Sequence, residues 1–313
     1  MIQLSDHDIN ETKKQLAKAE TPEKRRMILM NVLGYAPFVS RRKILKAGDP
    51  SIHIELYESA PDHPVIVFIP GIGTYAEMYC EFLYKLSTWG FNVAGVDLRG
   101  HGYSEGERGV YTVDQVTADM NQVVTVLSKR FSGPVGFFGC SIGAPLAMAC
   151  AENDPRIRAL LCHTLFLSEY PPDLFTFYGW NSLRMARLFV PDFKIDFRSF
   201  IDVNALIRGN AFADFIDYDD LIVWEYSIGT LADIYSWRTS LLTRAHDFKA
   251  AIITGEDDEV IQVGYMRHIM EKMKHPFDFI CITNARHMIP FLNVRETVHA
   301  ARDWFIAAFR EKD

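Results

Sequence analysis

The chain has 313 residues, 49% of them hydrophobic, which is enough to bury a sizeable core and to build one large α/β domain with an insertion. Its 40 acidic and 33 basic side chains leave a net charge of −7, and the basic runs are two triplets, Lys24-Arg25-Arg26 and Arg41-Arg42-Lys43, read as solvated element ends. This balance argues against nucleic acid as a partner. The five cysteines (Cys80, Cys140, Cys150, Cys162, Cys281) are scattered without a Cys-x-x-Cys pair, so neither a disulfide framework nor a zinc site is indicated, and a reducing compartment fits best. The amino terminus is polar and charged with no apolar core, and no run of eighteen apolar residues occurs. The expectation is a cytoplasmic protein without an export signal or an integral membrane span.

Two helices are expected in the first forty residues. One runs from Asp6 to Glu20; the other opens with Thr21 as cap and Pro22 at its first position and closes near Gly34, with Met27, Ile28, Met30 and Leu33 as its apolar face. A strand over Ile52 to Tyr57 follows, then a buried-type strand over Pro64 to Ile69. From there the pattern alternates: a helix from Glu77 to Trp89, a strand from Phe91 to Val96, a Gly-rich loop from Asp97 to Gly109, and a helix from Val113 to Phe131. The strand from Val135, a helix from Ala144 and the strand Ile157 to Leu161 continue it. Such alternation predicts a mostly parallel sheet flanked by helices, with a site at the carboxyl ends of its strands.

Between 164 and 245 the alternation fails and aromatics crowd in, among them Phe166, Phe177 and Trp180. This stretch reads as an inserted, mainly helical cap. The α/β pattern resumes with a strand from Phe248 to Thr254, a helix from Val263 to Met273, a strand from Phe277 to Thr283 and a helix from Asn293 to Arg310. The chain thus divides into an N-terminal helical extension (1–40), a core (41–163 and 246–313) and the cap (164–245).

Where the strand from Val135 meets the following helix, the sequence reads Gly139-Cys140-Ser141-Ile142-Gly143. A serine on a sharp strand-to-helix turn is exposed above the sheet, and small residues two positions either side let strand and helix approach. A serine hydroxyl is a poor nucleophile near neutral pH and needs a base held by a carboxylate. His287, on the loop after the last strand, is the candidate base. The acid lies in Glu256-Asp257-Asp258-Glu259, on the loop after the preceding strand; Asp258 leads, and neighbouring carboxylates are not separable by sequence. Two main-chain donors are needed for an oxyanion, and Ile142 and Ile72, the latter in Pro70-Gly71-Ile72-Gly73, are the candidates. The scheme requires no metal and no cofactor.

Four blocks resemble the α/β-hydrolase superfamily, and within it the monoacylglycerol lipase, lysophospholipase and serine-aminopeptidase-like group. They are Pro70 to Gly73 with Tyr79; Asp97-Leu98-Arg99-Gly100-His101-Gly102-Tyr103-Ser104-Glu105-Gly106; Gly139 to Gly143; and Gly255 to Ile261 with His287. The resemblance implies the α/β-hydrolase fold, Ser141, Asp258 and His287 as triad, and Ile72 and Ile142 as oxyanion donors. Pro70 stands where the group usually has histidine, Ala144 where it has glycine, and Cys140 precedes the nucleophile; the first forty residues are not covered. The expected activity is hydrolysis of small-molecule carboxylic esters with an apolar acyl group, contacted by Gly71, Cys140, Phe166, Phe177 and Trp180. Thioester, peptide and carbon–carbon cleavage on the same triad, and a ligand-binding receptor on the same scaffold, are the alternatives.

Overall fold

The computed structural model describes residues 4–310. Among these described residues ten strands form: β1 (Lys43–Ala47), β2 (Ile52–Tyr57), β3 (Val65–Ile69), β4 (Asn92–Val96), β5 (Val135–Cys140), β6 (Ile157–His163), β7 (Lys194–Asp196), β8 (Glu225–Ser227), β9 (Lys249–Gly255) and β10 (Asp278–Ile282). Eight of them make one sheet in the order β1-β2-β4-β3-β5-β6-β9-β10. β1 and β2 run antiparallel at one edge, and the pairs from β4 through β10 are parallel. The central strand β3 is Val-Ile-Val-Phe-Ile with every residue buried, as a strand covered by helices on both faces requires. β5 lies beside it and carries Ser141 at its carboxyl end.

Helices cover both faces. Val113–Ser128 opens on a capping box between Thr112 and Gln115 and buries Val116, Met120, Val123, Val124 and Leu127 at helical spacing. Gly143–Asn153 is buried throughout its first nine residues and packs on β5 and β6. Its contact with β5 depends on two glycines: a Cβ at Gly139 would stand 2.3 Å from the Gly143 carbonyl oxygen, and one at Gly143 would stand 2.5 Å from the carbonyl oxygens of Ile69 and Pro70.

Several expectations need correction. β1 was not foreseen, because Lys43-Ile44-Leu45-Lys46-Ala47 has one buried residue, Ala47, and lacks a strand's alternation. The first helix is Asp6–Lys18 and the second Pro22–Val32; the latter buries Leu29 and Met30, with Leu33 just beyond it, while Met27 is 62% exposed. Arg26 and Arg42 are not solvated ends. Arg26 pairs with Glu77 and lies 2.9 Å from Asp219, and Arg42 lies 2.5 Å from Glu77, so the N-terminal segment docks through ion pairs to buried carboxylates as well as apolar side chains. The stretch 164–245 contains helices Leu174–Ala186, Val203–Leu206 and Ile228–Ile234 and also an unforeseen antiparallel pair, β7 with β8.

The glycine contacts predict opposite outcomes for one substitution. Gly143→Ala drives a Cβ into backbone and should cost about 2 kcal/mol or more. Gly264→Ala, in the helix Val263–Lys272 with no atom near its Cβ position, should gain roughly 0.5 kcal/mol. Urea midpoints of the two variants check both signs.

Candidate active site

Ser141 has φ 53°, a left-handed conformation that costs a non-glycine residue about 1–3 kcal/mol and persists where surroundings over-determine it. Here the Ser141 N–H donates to the His163 carbonyl at 2.8 Å and its own carbonyl accepts from the Ala144 N–H at 2.8 Å. The hydroxyl is thereby held at the strand end, 3.2 Å from Nε2 of His287.

The structure sorts the four neighbouring acids. Asp258 meets the ring of His287, with Nδ1 at 2.9 Å from Oδ2 and 3.1 Å from Oδ1. Glu259 accepts from the His287 backbone N–H at 3.0 Å, and Glu256 accepts from the Asn284 N–H. Asp257 joins the loops through its own N–H, which donates to the Ala285 carbonyl. The Asp258 carboxylate is surrounded by donors: Thr164 Oγ1 at 2.8 Å and Thr254 Oγ1 at 3.3 Å to Oδ2, and the N–H groups of Val260 and Ile261, each at 2.9 Å, to Oδ1. Burial alone would raise its pKa, but His287 and these donors hold it well below the usual carboxylate range. An ionised Asp258 can only accept, so Nδ1 of His287 carries the hydrogen and Nε2 presents a lone pair to Ser141.

Behind this array lies His163, its ring 5.2 Å from that of His287 and its Nδ1 3.2 Å from Sγ of Cys140. Burial lowers the His163 pKa to about 3 and raises that of Cys140 to about 12, so both are neutral. His163, Asp258 and His287 are the one group of ligand-type side chains, among the described residues, close enough to share a cation. Asp258 and His287 already satisfy each other without one.

The turn after β3 comes against the serine, since a Cβ on Gly71 would lie 3.5 Å from that of Ser141. Among the described residues, neither the Ile72 N–H nor the Ile142 N–H has an acceptor. A cavity opens here. Ser141, His287, Gly71 and Cys140 line it together with Phe197, Ile201, Ile207, Ile216 and Trp224, and no Asp or Glu lines it among the described residues.

Phe166, Phe177 and Trp180 do not line this cavity. Phe166 packs against Trp180 and Tyr235, with ring centroids 5.5 Å from each, and Phe177 is 44% exposed beside Tyr178. Trp180 stacks on Tyr235 at 4.8 Å and lines a second cavity, about 450 Å³, that shares Ile72, Phe197 and Ile201 with the first. The wall residues Phe197, Ile201, Ile207, Ile216 and Trp224 are not distinguishable by sequence, because apolar side chains in irregular backbone carry no period that tells core from pocket.

Residues 60–291 match the hydrolase family described as serine aminopeptidase, S33. The chain belongs to this family. Its fold is shared by the monoacylglycerol lipase of Paleococcus ferrophilus, with 20% identity, 81% of this chain and 99% of that one covered, and a TM-score of 0.66. A soluble variant of the monoglyceride lipase of Saccharomyces cerevisiae gives 17%, 85%, 96% and 0.69. The thioesterase domain from the curacin biosynthetic pathway gives 18%, 85%, 98% and 0.59. These relatives establish the α/β-hydrolase fold. No described helix is long and apolar enough to cross a membrane.

The buried His163 makes a pH prediction. Its pKa falls from about 6.5 unfolded to about 3 folded, so below pH 6.5 the unfolded chain takes up a proton the folded chain refuses. Its contribution to stability is therefore lost as pH drops from 6.5 towards 3. Asp258, depressed when folded, is present in full above its ordinary value near 3.8 and loses its contribution only below that. Between pH 6.5 and 4, His163→Asn should thus lose less stability than the wild type, measured as the shift in urea midpoint; parallel midpoints for the two proteins would refute the assignment.

Proposed function

We propose that the protein is a serine hydrolase of carboxylic esters with an apolar acyl group. The observation that carries this reading is a predominantly apolar cavity wall, without Asp or Glu among the described residues, around a serine hydroxyl paired to a histidine. Ser141 Oγ attacks the ester carbonyl carbon while Nε2 of His287 takes the hydroxyl proton. The oxyanion is received by the N–H groups of Ile72 and Ile142. Collapse of the tetrahedral species breaks the ester bond, and the leaving alkoxide takes the proton from His287. Water then attacks the acyl-enzyme by the same steps in reverse, releasing the acid. Asp258 remains ionised and holds the imidazolium formed in each step.

In this reading the stretch 164–245 is a cap inserted over the strand ends, and its apolar residues take the acyl chain. An aminopeptidase is the competing reading, since the family is described by that activity. Such an enzyme has to hold the substrate's α-ammonium group, and an uncompensated buried cation is costly. The cavity wall offers that cation no Asp or Glu among the described residues, which favours esters.

A fluorophosphonate should label Ser141, and Ser141→Ala should abolish both labelling and turnover of p-nitrophenyl esters. Each added CH₂ is worth about 0.8 kcal/mol on burial, so kcat/KM should rise about fourfold per methylene until the cavity is filled. Trp224→Ala and Ile207→Ala should flatten that rise while sparing the acetate. Faster release of p-nitroaniline from aminoacyl anilides than of p-nitrophenol from the esters would favour the peptidase instead.

A further inference from the structure

We infer that His101 and Tyr226 are positioning residues for the turn Gly71 to Thr74, so that a strand of the inserted segment orients the oxyanion site. His101 lies in the Gly-rich loop after β4, and Tyr226 is the central residue of β8; both are buried. Nδ1 of His101 is 3.0 Å from the carbonyl oxygen of Arg99, which can only accept, so Nδ1 carries the hydrogen. Nε2 then accepts, and its partner at 2.6 Å is the Tyr226 hydroxyl, which donates. The Tyr226 oxygen in turn accepts from the Gly73 N–H at 2.7 Å. Every hydrogen in this chain of three bonds therefore has one direction. Burial lowers the His101 pKa to about 4, which keeps the imidazole neutral and able to accept.

The consequence falls on Ile72. Its two flanking peptide planes are both tied: the Gly71 carbonyl accepts from Thr74, from N at 3.2 Å and from Oγ1 at 2.8 Å, and the Gly73 N–H is given to Tyr226. The Val223 N–H also donates to the Gly73 carbonyl at 3.0 Å, so Gly73 is bonded to the segment through both of its polar groups. The approach is close. Gly73 has φ +70°, and a Cβ there would lie 2.6 Å from the Val223 carbonyl oxygen and 2.8 Å from the Phe197 ring. Ile72 is left with a free N–H on a turn that cannot reorient unless β8 leaves. The role of Ile72 as donor is the reading proposed above, and this inference rests on it.

Tyr226→Phe keeps the ring and removes the hydroxyl. The expected result is a fall in kcat of about tenfold or more, equal for p-nitrophenyl acetate and for longer esters, with KM nearly unchanged. Affinity for a trifluoromethyl ketone, whose hemiketal oxygen imitates the oxyanion, should fall by the same factor, while that of a product fatty acid should not. An unchanged kcat, or a loss confined to KM and growing with acyl length, would overturn the inference. Should Tyr226→Phe fail to fold, His101→Leu and His101→Gln decide: the leucine variant should lose kcat and the glutamine, which still offers an acceptor, should recover part of it, whereas equal rates in leucine variant and wild type overturn the proposal. A wild-type chain unlabelled by fluorophosphonate overturns the functional reading itself; a labelled wild type with unimpaired variants overturns this positioning role alone.

Discussion

Strand β5 and the helix after it meet more closely than any side chain at 139 or 143 would permit, and the serine between them is held with positive φ. That contact needs β3 on one side, whose Ile69 and Pro70 carbonyls crowd Gly143, and β6 on the other, whose last carbonyl receives the Ser141 N–H. The sheet therefore acts as the clamp that keeps a strained residue in place. Local strain of this kind is borne by the cooperativity of the whole core.

Electrostatics follow from the same geometry. The loops after β9 and β10 lie side by side because those strands are parallel neighbours, and this brings Asp258 to His287 across 29 residues of sequence. Burying a carboxylate is unfavourable unless donors surround it. Two threonine hydroxyls and two backbone N–H groups do so, and the ring of His287 completes the set. The ionised carboxylate they hold can only accept, which fixes the tautomer of the neutral imidazole.

The stretch 164–245 contributes to the cavity, to the core and to the surface. Towards the sheet it supplies Phe197, Ile207 and Trp224 to the cavity and Tyr226 to the turn after β3. Phe175 and Phe189 are left largely exposed, while Phe166, Trp180 and Tyr235 pack on one another and join the hydrophobic core on the sheet. The N-terminal helices hold this segment from outside through the Arg26–Asp219 pair, next to the cavity residue Ile216. An extension lying before the family match at residue 60 is thus joined to the wall of the site.

The alternation of strands and helices, the order of elements and the serine turn were legible because each is written in local pattern: continuous apolar runs for buried strands, 3.6-residue periodicity for helices, glycines beside Ser141. His287 was legible for the same reason, as the histidine after the last strand. Which of the four acids from Glu256 to Glu259 meets it was not, since that depends on how two loops pack, and the pairing is made by Asp258 alone. Nor could sequence tell that Arg26 and Arg42 reach buried carboxylates, that Phe177 faces outward while Phe197 faces the cavity, or that His101 reaches a tyrosine 125 residues away. Those outcomes are long-range contacts between segments without a regular period, and such contacts are decided when the chain closes on itself, because only then does each side chain acquire neighbours that burial and hydrogen bonding can select.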